Sequence, residues 1–483
     1  MNVAVPDFRL QRHAAADLPP VVVGAGPAGV RAAVTLLAHG LRPVLVDEAP
    51  RAGGQVYRQP PPGLERSPQE LYGIQAGRAQ AVHACFASIQ AQIDYRPDTL
   101  LWNAQPDGLD LLHQASQTLS CLPWREIIVA SGATDRVLPL PGWTLPGVYT
   151  LGGAQVALKS QGCAIGSAVV FAGTGPLLYL VASQYALAGA QVVAVLDTAP
   201  RAARWRAIPG MLNQPVTAAQ GLQLIAWLRA KRVPVHRGVQ LLHIEGDARQ
   251  QRAQAIVWRD HAGRQQRSAC SAVGLGHALR PETQLADLLG CAFNFSPVQR
   301  CHVPTIDAMR RSSVPGVYLA GDGAAILGAN AAECSGELAA WALLADRGLP
   351  VDAARIARLQ RQLARAQRFR QAMELAFPLP AAQWAQHCPD ELVICRCEHI
   401  TAAQVRTAIT EGGAQELNRL KALCRVGMGR CQGRMCAPAA AELLAHTLDM
   451  PVQQAGRLRA QAPIKPVPLG AALGPQKTEG NAP

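Results

Sequence analysis

The chain has 483 residues, of which 49% are hydrophobic, and a formal net charge of +13. That length exceeds what a single core fills, so two to four domains are expected. The basic excess is scattered Arg without a run of five, sixteen Lys and Arg facing eight Asp and Glu over residues 355–465; with no nucleic-acid-reading module beside it, this excludes that class and suits a docking face for an acidic partner.

The first residues, Met1 to Asp7, carry no basic segment followed by an apolar one, so no export signal is expected and the location is read as cytoplasmic. In that compartment thirteen cysteines point to metal ligands or reactive thiols rather than to a disulfide framework. After Pro19-Pro20, Val21–Val23 reads as a short buried parallel strand, followed by Gly24-Ala25-Gly26-Pro27-Ala28-Gly29. Val30 to His39 has helical composition, Gly40 stands where a C-cap glycine belongs, and Pro43–Val46 is a second strand ending at Asp47. The physical reading is a dinucleotide site. Gly24 permits the tight turn, Gly26 lets backbone approach a pyrophosphate, Gly29 lets helix pack on strand, and Asp47 accepts from a ribose hydroxyl.

Gly53-Gly54-Gln55, the strand and turn Ile127–Ala133, and Val317–Leu319 leading through Ala320-Gly321 to Asp322 favour FAD at this site. They follow the order in which two-dinucleotide flavoproteins return to the cofactor, Asp322 falling where the ribityl chain is held. The apolar stretch 168–196 is broken by Gly173-Thr174-Gly175-Pro176, and a strand–helix–strand unit explains it better than a membrane span. This second unit ends at Asp197, but Leu178 replaces the third glycine. Such bulk should push the helix off the strand or change the turn, leaving open whether Gly173, Gly175 and Asp197 hold NAD(P) or the domain serves packing alone. Asp197 disfavours a 2′-phosphate, although Arg201, Arg204 and Arg206 lie close by. No Cys-x-x-Cys occurs before residue 395, which argues against disulfide-reductase chemistry.

Ala353–Leu375 reads as a helix tying the domains together, with Ile356, Leu359, Leu363, Ala366 and Met373 on one face. Beyond it stand Cys395-Arg396-Cys397 and Cys431-Gln432-Gly433-Arg434-Met435-Cys436. Between them are expected helices, Ala402–Glu411 capped by Thr401 and a second over Glu416–Leu423, with a last one starting at Pro438. Four thiolates in two close pairs suit a metal centre, and glycines at 427, 429 and 433 let backbone N–H groups reach an anionic cluster. Arg396, Arg425, Arg430 and Arg434 are placed to offset its charge. Zinc held by four cysteines usually sits in two Cys-x-x-Cys knuckles, whereas this spacing resembles the bacterioferritin-associated-ferredoxin-like domain, which carries a 2Fe-2S cluster. Zinc remains the alternative. Cys424 is an extra thiol beside the site, and residues past about Ala460 read as an extended tail.

Together these motifs resemble those of an α/β, glutathione-reductase-like flavoprotein, its Rossmann-type FAD domain split around a second Rossmann-like domain, with a small, mainly helical 2Fe-2S domain. The expected divisions are a leader to residue 17, FAD domain 18–150 and 286–350, inserted domain 151–285, helical linker 351–390, cluster domain 391–450 and tail 451–483. Over roughly residues 18–470 the chain resembles the alpha-type subunits of opine oxidases, hydroxyproline and proline dehydrogenases and hydrogen cyanide synthase. That resemblance rests on the first glycine motif, Asp47 to Arg58, Val317 to Asp322 and the module Cys395 to Cys436. It implies a smaller partner similar to D-amino-acid oxidase, which oxidises a secondary amine or amino acid. This chain would relay the electrons through flavin and 2Fe-2S to an acceptor such as a quinone, with peripheral membrane contact allowed and FMN admissible at a subunit interface. A flavin takes two electrons and releases them singly, which a one-electron cluster requires. The rival readings are a stand-alone NAD(P)H-dependent reductase with the opposite electron direction and a non-enzymatic scaffold. No catalytic base is assignable: Glu48, His277 and Glu333 lie near the motifs without a distinguishing feature.

Overall fold

The computed structural model describes residues 18–247 and 251–472. Five short parallel strands form the first sheet, in the order Val317–Leu319, Ile127–Val129, Val21–Val23, Val44–Val46 and Asp94–Arg96. These strands are apolar nearly throughout because both faces of the sheet are covered. On one face helix Pro27–Ala38 lies against helix Ala329–Asp346, where a Cβ on Gly336 would come within 1.9 Å of the Ala28 carbonyl. Their abundant Ala and Gly permit that approach, since larger side chains would separate the axes.

The chain leaves this domain through Ala133–Asp135 and returns through Leu279–Pro281, two segments paired antiparallel. Between them lies a second five-stranded parallel sheet in the order Val235–Arg237, Gln191–Asp197, Ala168–Thr174, Ala272–His277 and Val148–Thr150. The expected division after residue 150 therefore falls one strand too late, and the one after residue 285 lies past the return segment. Val148–Thr150 is only three residues long and pairs with a strand far downstream, so no local periodicity marks its sheet. The stretch 168–196 is strand, helix Pro176–Leu187 and strand, and no helix among the described residues is long and apolar enough to cross a membrane.

Helix Ala353–Ala376 starts at an Asp352 cap, packs its first half on Ala329–Asp346 and its second half on helix Ala203–Met211 of the second domain. There Gly210 is tight against Ala372. The cysteine module follows as helices Ala402–Thr410, Leu417–Cys424 and Ala437–Thr447; Thr401 and Gln404 form a capping box, and the Glu416 carboxylate caps the second helix. Its core runs without a break into the second domain: Ile394, Val405, Leu420 and Leu443 belong to one buried cluster with Val170, Leu196, Ile256 and Leu275.

The tail departs from its expected form. Arg457 pairs with Asp287 and stacks 3.9 Å from the Phe293 ring centroid, the Ile464 N–H donates to the Trp102 carbonyl, and Lys465 meets Glu48. Composition alone shows Pro, Gly and Ala here. The few side chains that pin the strap find their partners on distant segments. Residues 1–17 and 473–483, including the expected leader, lie outside the described residues.

Candidate flavin and iron–sulfur sites

The carboxyl ends of the first sheet bring Gly24, Asp47, Ala130 and Asp322 to one crevice, at the point where strand order reverses about Val21–Val23. Gly24 has φ +101°, and a Cβ there would lie 2.4 Å from the Ala130 carbonyl oxygen. One on Gly29 would lie 1.7 Å from the Gly24 oxygen, so the helix could not seat on its strand. Gly54, at φ +62°, sits on the loop itself, where a Cβ would come 2.9 Å from Gly26 Cα. The Gly53 N–H donates to the Ala25 carbonyl at 2.8 Å, and exposed Gln55 follows.

Asp47 is buried and accepts from the backbone N–H groups of Ala25 and Ala49. Burial pushes its carboxyl up to about 6 against the lowering effect of those two bonds. At the sheet's other edge the Asp322 Oδ1 accepts from Leu327 N at 3.0 Å and Gly328 N at 3.3 Å, just ahead of helix Ala329–Asp346, and burial raises its carboxyl as well. A loop that no Cβ could enter, with carboxylates on both flanks, fits an adenine dinucleotide with a ribityl chain. Glu48 is taken by Lys465, Glu333 pairs with Arg31 and Arg78, and burial then Arg136 push the His277 imidazole down to about 3, leaving it neutral.

The second glycine loop is built differently. Gly175 has φ +109° where Gly26 has −74°, and the Leu178 N–H bonds back to the Gly175 carbonyl at 3.2 Å. Leu178 is wholly buried, so its bulk is accommodated by a changed turn. Asp197 is also wholly buried. Its Oδ2 accepts from the Tyr179 hydroxyl at 2.6 Å and Arg204 Nη2 at 2.8 Å, its Oδ1 from the Ala199 N–H at 2.9 Å and Thr174 Oγ1 at 3.3 Å. With four donors already on it, the carboxylate has little left for a ribose. The Arg204 guanidinium also lies 5.0 Å from the Phe377 ring centroid, and Phe377 ends helix Ala353–Ala376. One turn back, Glu374 is 3.8 Å from buried Arg136 at the domain crossing. The last turns of that helix thus run from the crossing to the second domain's acid, a course no local signal in the sequence reveals.

In the cysteine module the thiols gather as two pairs, Cys395 with Cys436 and Cys397 with Cys431. The Cys436 thiol donates to Cys395 and, together with backbone N–H groups of Gly427, Glu398 and Cys397, holds Cys395 down at about 5. The same donation, then burial, pushes Cys436 up. A Cβ on Gly429 would lie 2.2 Å from the Cys397 Cβ, so the loop closes only because that position is glycine. Among the described residues no three His, Cys, Asp or Glu side chains are disposed around one point to hold a single ion. The N–H groups aimed at sulfur match what an anionic cluster needs.

The arginines near this loop are largely engaged. Arg425 pairs with Glu398, Arg396 lies over the Trp143 ring, and Arg434 donates to Glu282 at 2.6 Å with both side chains nearly buried. The Glu282 carbonyl in turn accepts from Ser131 Oγ, and its N–H donates to the Gly132 carbonyl, in the turn that returns to the flavin crevice. Gln284 Nε2 donates to the carbonyl of Gln432, which lies between Cys431 and Cys436 in the chain. The Trp143 indole N–H to Val393, the Trp384 indole N–H to Pro139, and Arg300 to Glu442 complete the dock.

Residues 19–343 match the pyridine nucleotide-disulphide oxidoreductases, and residues 393–446 the BFD-like [2Fe-2S] binding domain. The site and fold therefore define a flavin-dependent oxidoreductase that carries a 2Fe-2S domain. The chain is 35% identical to the HcnB subunit of hydrogen cyanide synthase from Pseudomonas protegens, over 94% of this chain and 97% of that one. It is 36% identical to the A-type subunit of opine oxidase from Agrobacterium tumefaciens, over 93% and 90%. Among solved structures, L-proline dehydrogenase from P. horikoshii superposes with a TM-score of 0.68 at 17% identity, covering 94% of this chain and 79% of that one. The chain belongs to the family that holds HcnB and the A-type opine oxidase subunits, within the pyridine nucleotide-disulphide oxidoreductase fold.

Proposed function

We propose that the chain is the electron-relaying subunit of an amine-oxidising complex. A smaller partner resembling D-amino-acid oxidase would oxidise a secondary amine or amino acid of the opine, hydroxyproline, proline or glycine type. The electrons would pass through FAD and the 2Fe-2S cluster of this chain to an acceptor such as a quinone, with FMN as a further flavin at the subunit interface. FAD would be held by Gly24, Gly26, Gly29, Asp47, Gly54, Gln55 and Asp322, and the cluster by Cys395, Cys397, Cys431 and Cys436. Bound FAD supplies the conversion between paired and single electrons. The residues around it position and exclude: Glu282 and Gln284 fix the cysteine loop against the flavin-side turn, and Trp143 and Trp384 hold the module on the domain crossing.

The observation that carries this reading is the course of helix Ala353–Ala376, whose end at Phe377 packs on Arg204, the residue that occupies Asp197 beside the second glycine motif. It weighs against a stand-alone NAD(P)H reductase, whose electrons would enter there. Names of the relatives weigh in the same direction, since both are subunits. The test is co-purification with the partner, then assay of opines, hydroxyproline, proline and glycine with an artificial acceptor, beside anaerobic mixing of the lone chain with NADH. Amine-dependent reduction that requires both subunits is expected, with no rapid flavin bleaching by NADH. Full amine turnover by the lone chain, or fast bleaching, would overturn the proposal.

A further inference from the structure

The second domain carries an apolar surface that the relay does not use. On helix Ala203–Met211 and just past its end, Trp205, Ile208 and Leu212 recur at helical spacing on one stripe. Opposite them, Ala207 is buried and Gly210 faces Ala372. Trp205 is 76% exposed and Leu212 71%. One turn further, Val216 at the start of helix Pro215–Ala230 is 71% exposed and Leu222 68%. Apart from Arg229 in the last turn, the outward positions of that second helix, among them Ala219, Gln220, Gln223, Ala226 and Ala230, carry no charge. Single exposed apolar residues are ordinary, but five large ones in eighteen consecutive positions, one a Trp, are not.

The charges around the patch say what covers it. From Thr198 to Ile244 there is no Asp or Glu, while Arg201, Arg206, Arg229, Lys231 and Arg232 stand exposed at the two ends of the helix pair. Arg204 is not part of this rim, because Asp197 holds it. A protein interface of this size ordinarily mixes both signs, which gives it register. A face with an apolar middle, an interfacial Trp and basic ends of one sign only is complementary to a sheet of anionic headgroups over acyl chains.

We infer that the helix pair Ala203–Ala230 is a peripheral docking face for an anionic phospholipid bilayer, entered by Trp205, Leu212 and Val216 and held by the flanking basic residues. It rests on the proposed function only for its purpose, delivery of electrons to an acceptor dissolved in the bilayer, and its test needs no amine substrate. The surface lies on the opposite side of helix Ala203–Met211 from the one that meets helix Ala353–Ala376, so lipid contact and that packing are compatible.

The experiment uses the full chain with its flavin and iron, sedimented with vesicles of equal parts phosphatidylglycerol and phosphatidylcholine, and with phosphatidylcholine alone. Binding to the anionic vesicles is expected, weakened by salt, with a blue shift of Trp emission that Trp205→Phe removes. Trp205→Ser with Leu212→Ser should reduce partitioning at least about tenfold. Arg206→Glu with Arg229→Glu should abolish the preference for phosphatidylglycerol, and the visible absorbance should stay unchanged in both variants. Absence of vesicle binding, or equal binding by the Trp205 and Leu212 double variant, overturns the inference. So does a self-association that this double variant breaks, which would assign the face to a second copy.

Discussion

Glu282→Gln isolates the contact that ties the cysteine loop to the flavin side. The substitution keeps shape and leaves the backbone bonds of Glu282 to Ser131 and Gly132 in place, but removes the carboxylate facing Arg434. Breaking one side of a buried ion pair costs about 3–5 kcal/mol, because the remaining charge stays buried without compensation. Arg434 also donates to the Ile464 carbonyl at 2.7 Å and the Cys431 carbonyl at 3.4 Å, which places the expected loss at the lower end, about 3 kcal/mol. If the module and second domain melt as one unit, as their shared core implies, that is a drop in Tm of roughly 6–12 °C. The assay is thermal unfolding of the holoprotein, followed through the visible circular dichroism of the cluster and through flavin fluorescence. Adding Arg434→Met should recover most of the loss, since an apolar pair in the same space leaves no buried charge. The pH dependence has a definite sign. Burial raises Glu282, but Arg434 outweighs it and holds the carboxyl below its usual range. The pair therefore stabilises fully above the ordinary glutamate range and fades as pH falls through the lowered value, so the difference between wild type and Glu282→Gln should shrink steadily as pH falls below that range. A variant with unchanged Tm at neutral pH, or a constant difference down to acid, would refute this account of the dock.

Gly29→Ala places a Cβ 1.7 Å from the Gly24 oxygen, so it should purify with little flavin, measured as the visible-to-ultraviolet absorbance ratio. Cys395→Ser or Cys436→Ser should lose iron and labile sulfide while keeping flavin, whereas Cys163→Ser, at an exposed position, should lose neither. Arg204→Ala leaves the wholly buried Asp197 without its cation and should lower stability by about 3 kcal/mol, read by calorimetry, without creating NADH reactivity because helix Ala353–Ala376 stays in place. Lys465→Ala removes a partly exposed pair with Glu48 and should cost less than about 1 kcal/mol, a difference that salt erases.

The features legible in the sequence are those fixed by short spacing. Gly24, Gly26 and Gly29 lie within six residues, Thr401 caps its own helix through Gln404, and the stripe Leu359, Leu363 and Ala366 is read directly from helical periodicity. Leu178 signals a changed turn because it stands at a fixed place within the glycine pattern. What escapes depends on pairs far apart in the chain. Glu282 and Arg434 are 152 positions apart, Trp384 and Pro139 are 245, and Lys465 and Glu48 are 417. Nothing in the composition of either member identifies its partner. The arginines of the cysteine loop mislead for the same reason: as residues they look like counter-charge for a cluster, but Arg425 and Arg434 each meet a carboxylate that neutralises them.

The helix end on the second domain and the docked cluster domain are mechanically one feature. Helix Ala353–Ala376 crosses from the first domain, ends on Arg204 and Phe377, and within a few residues becomes the segment Ala381–Gln386, where Trp384 is anchored to Pro139. Cys395 and Cys397 follow directly. The linker is too short to withdraw from the second domain while holding the module where it is, because Ala372, Ala376 and Phe377 are buried in the core of the second domain. Lifting the helix end off the second domain would expose that apolar surface and release Trp384 together with it. The segment that attaches the 2Fe-2S domain is thus packed on Arg204 of the second domain at one end and anchored to Pro139 at the other, so displacing the helix end disturbs the seat of the module as well.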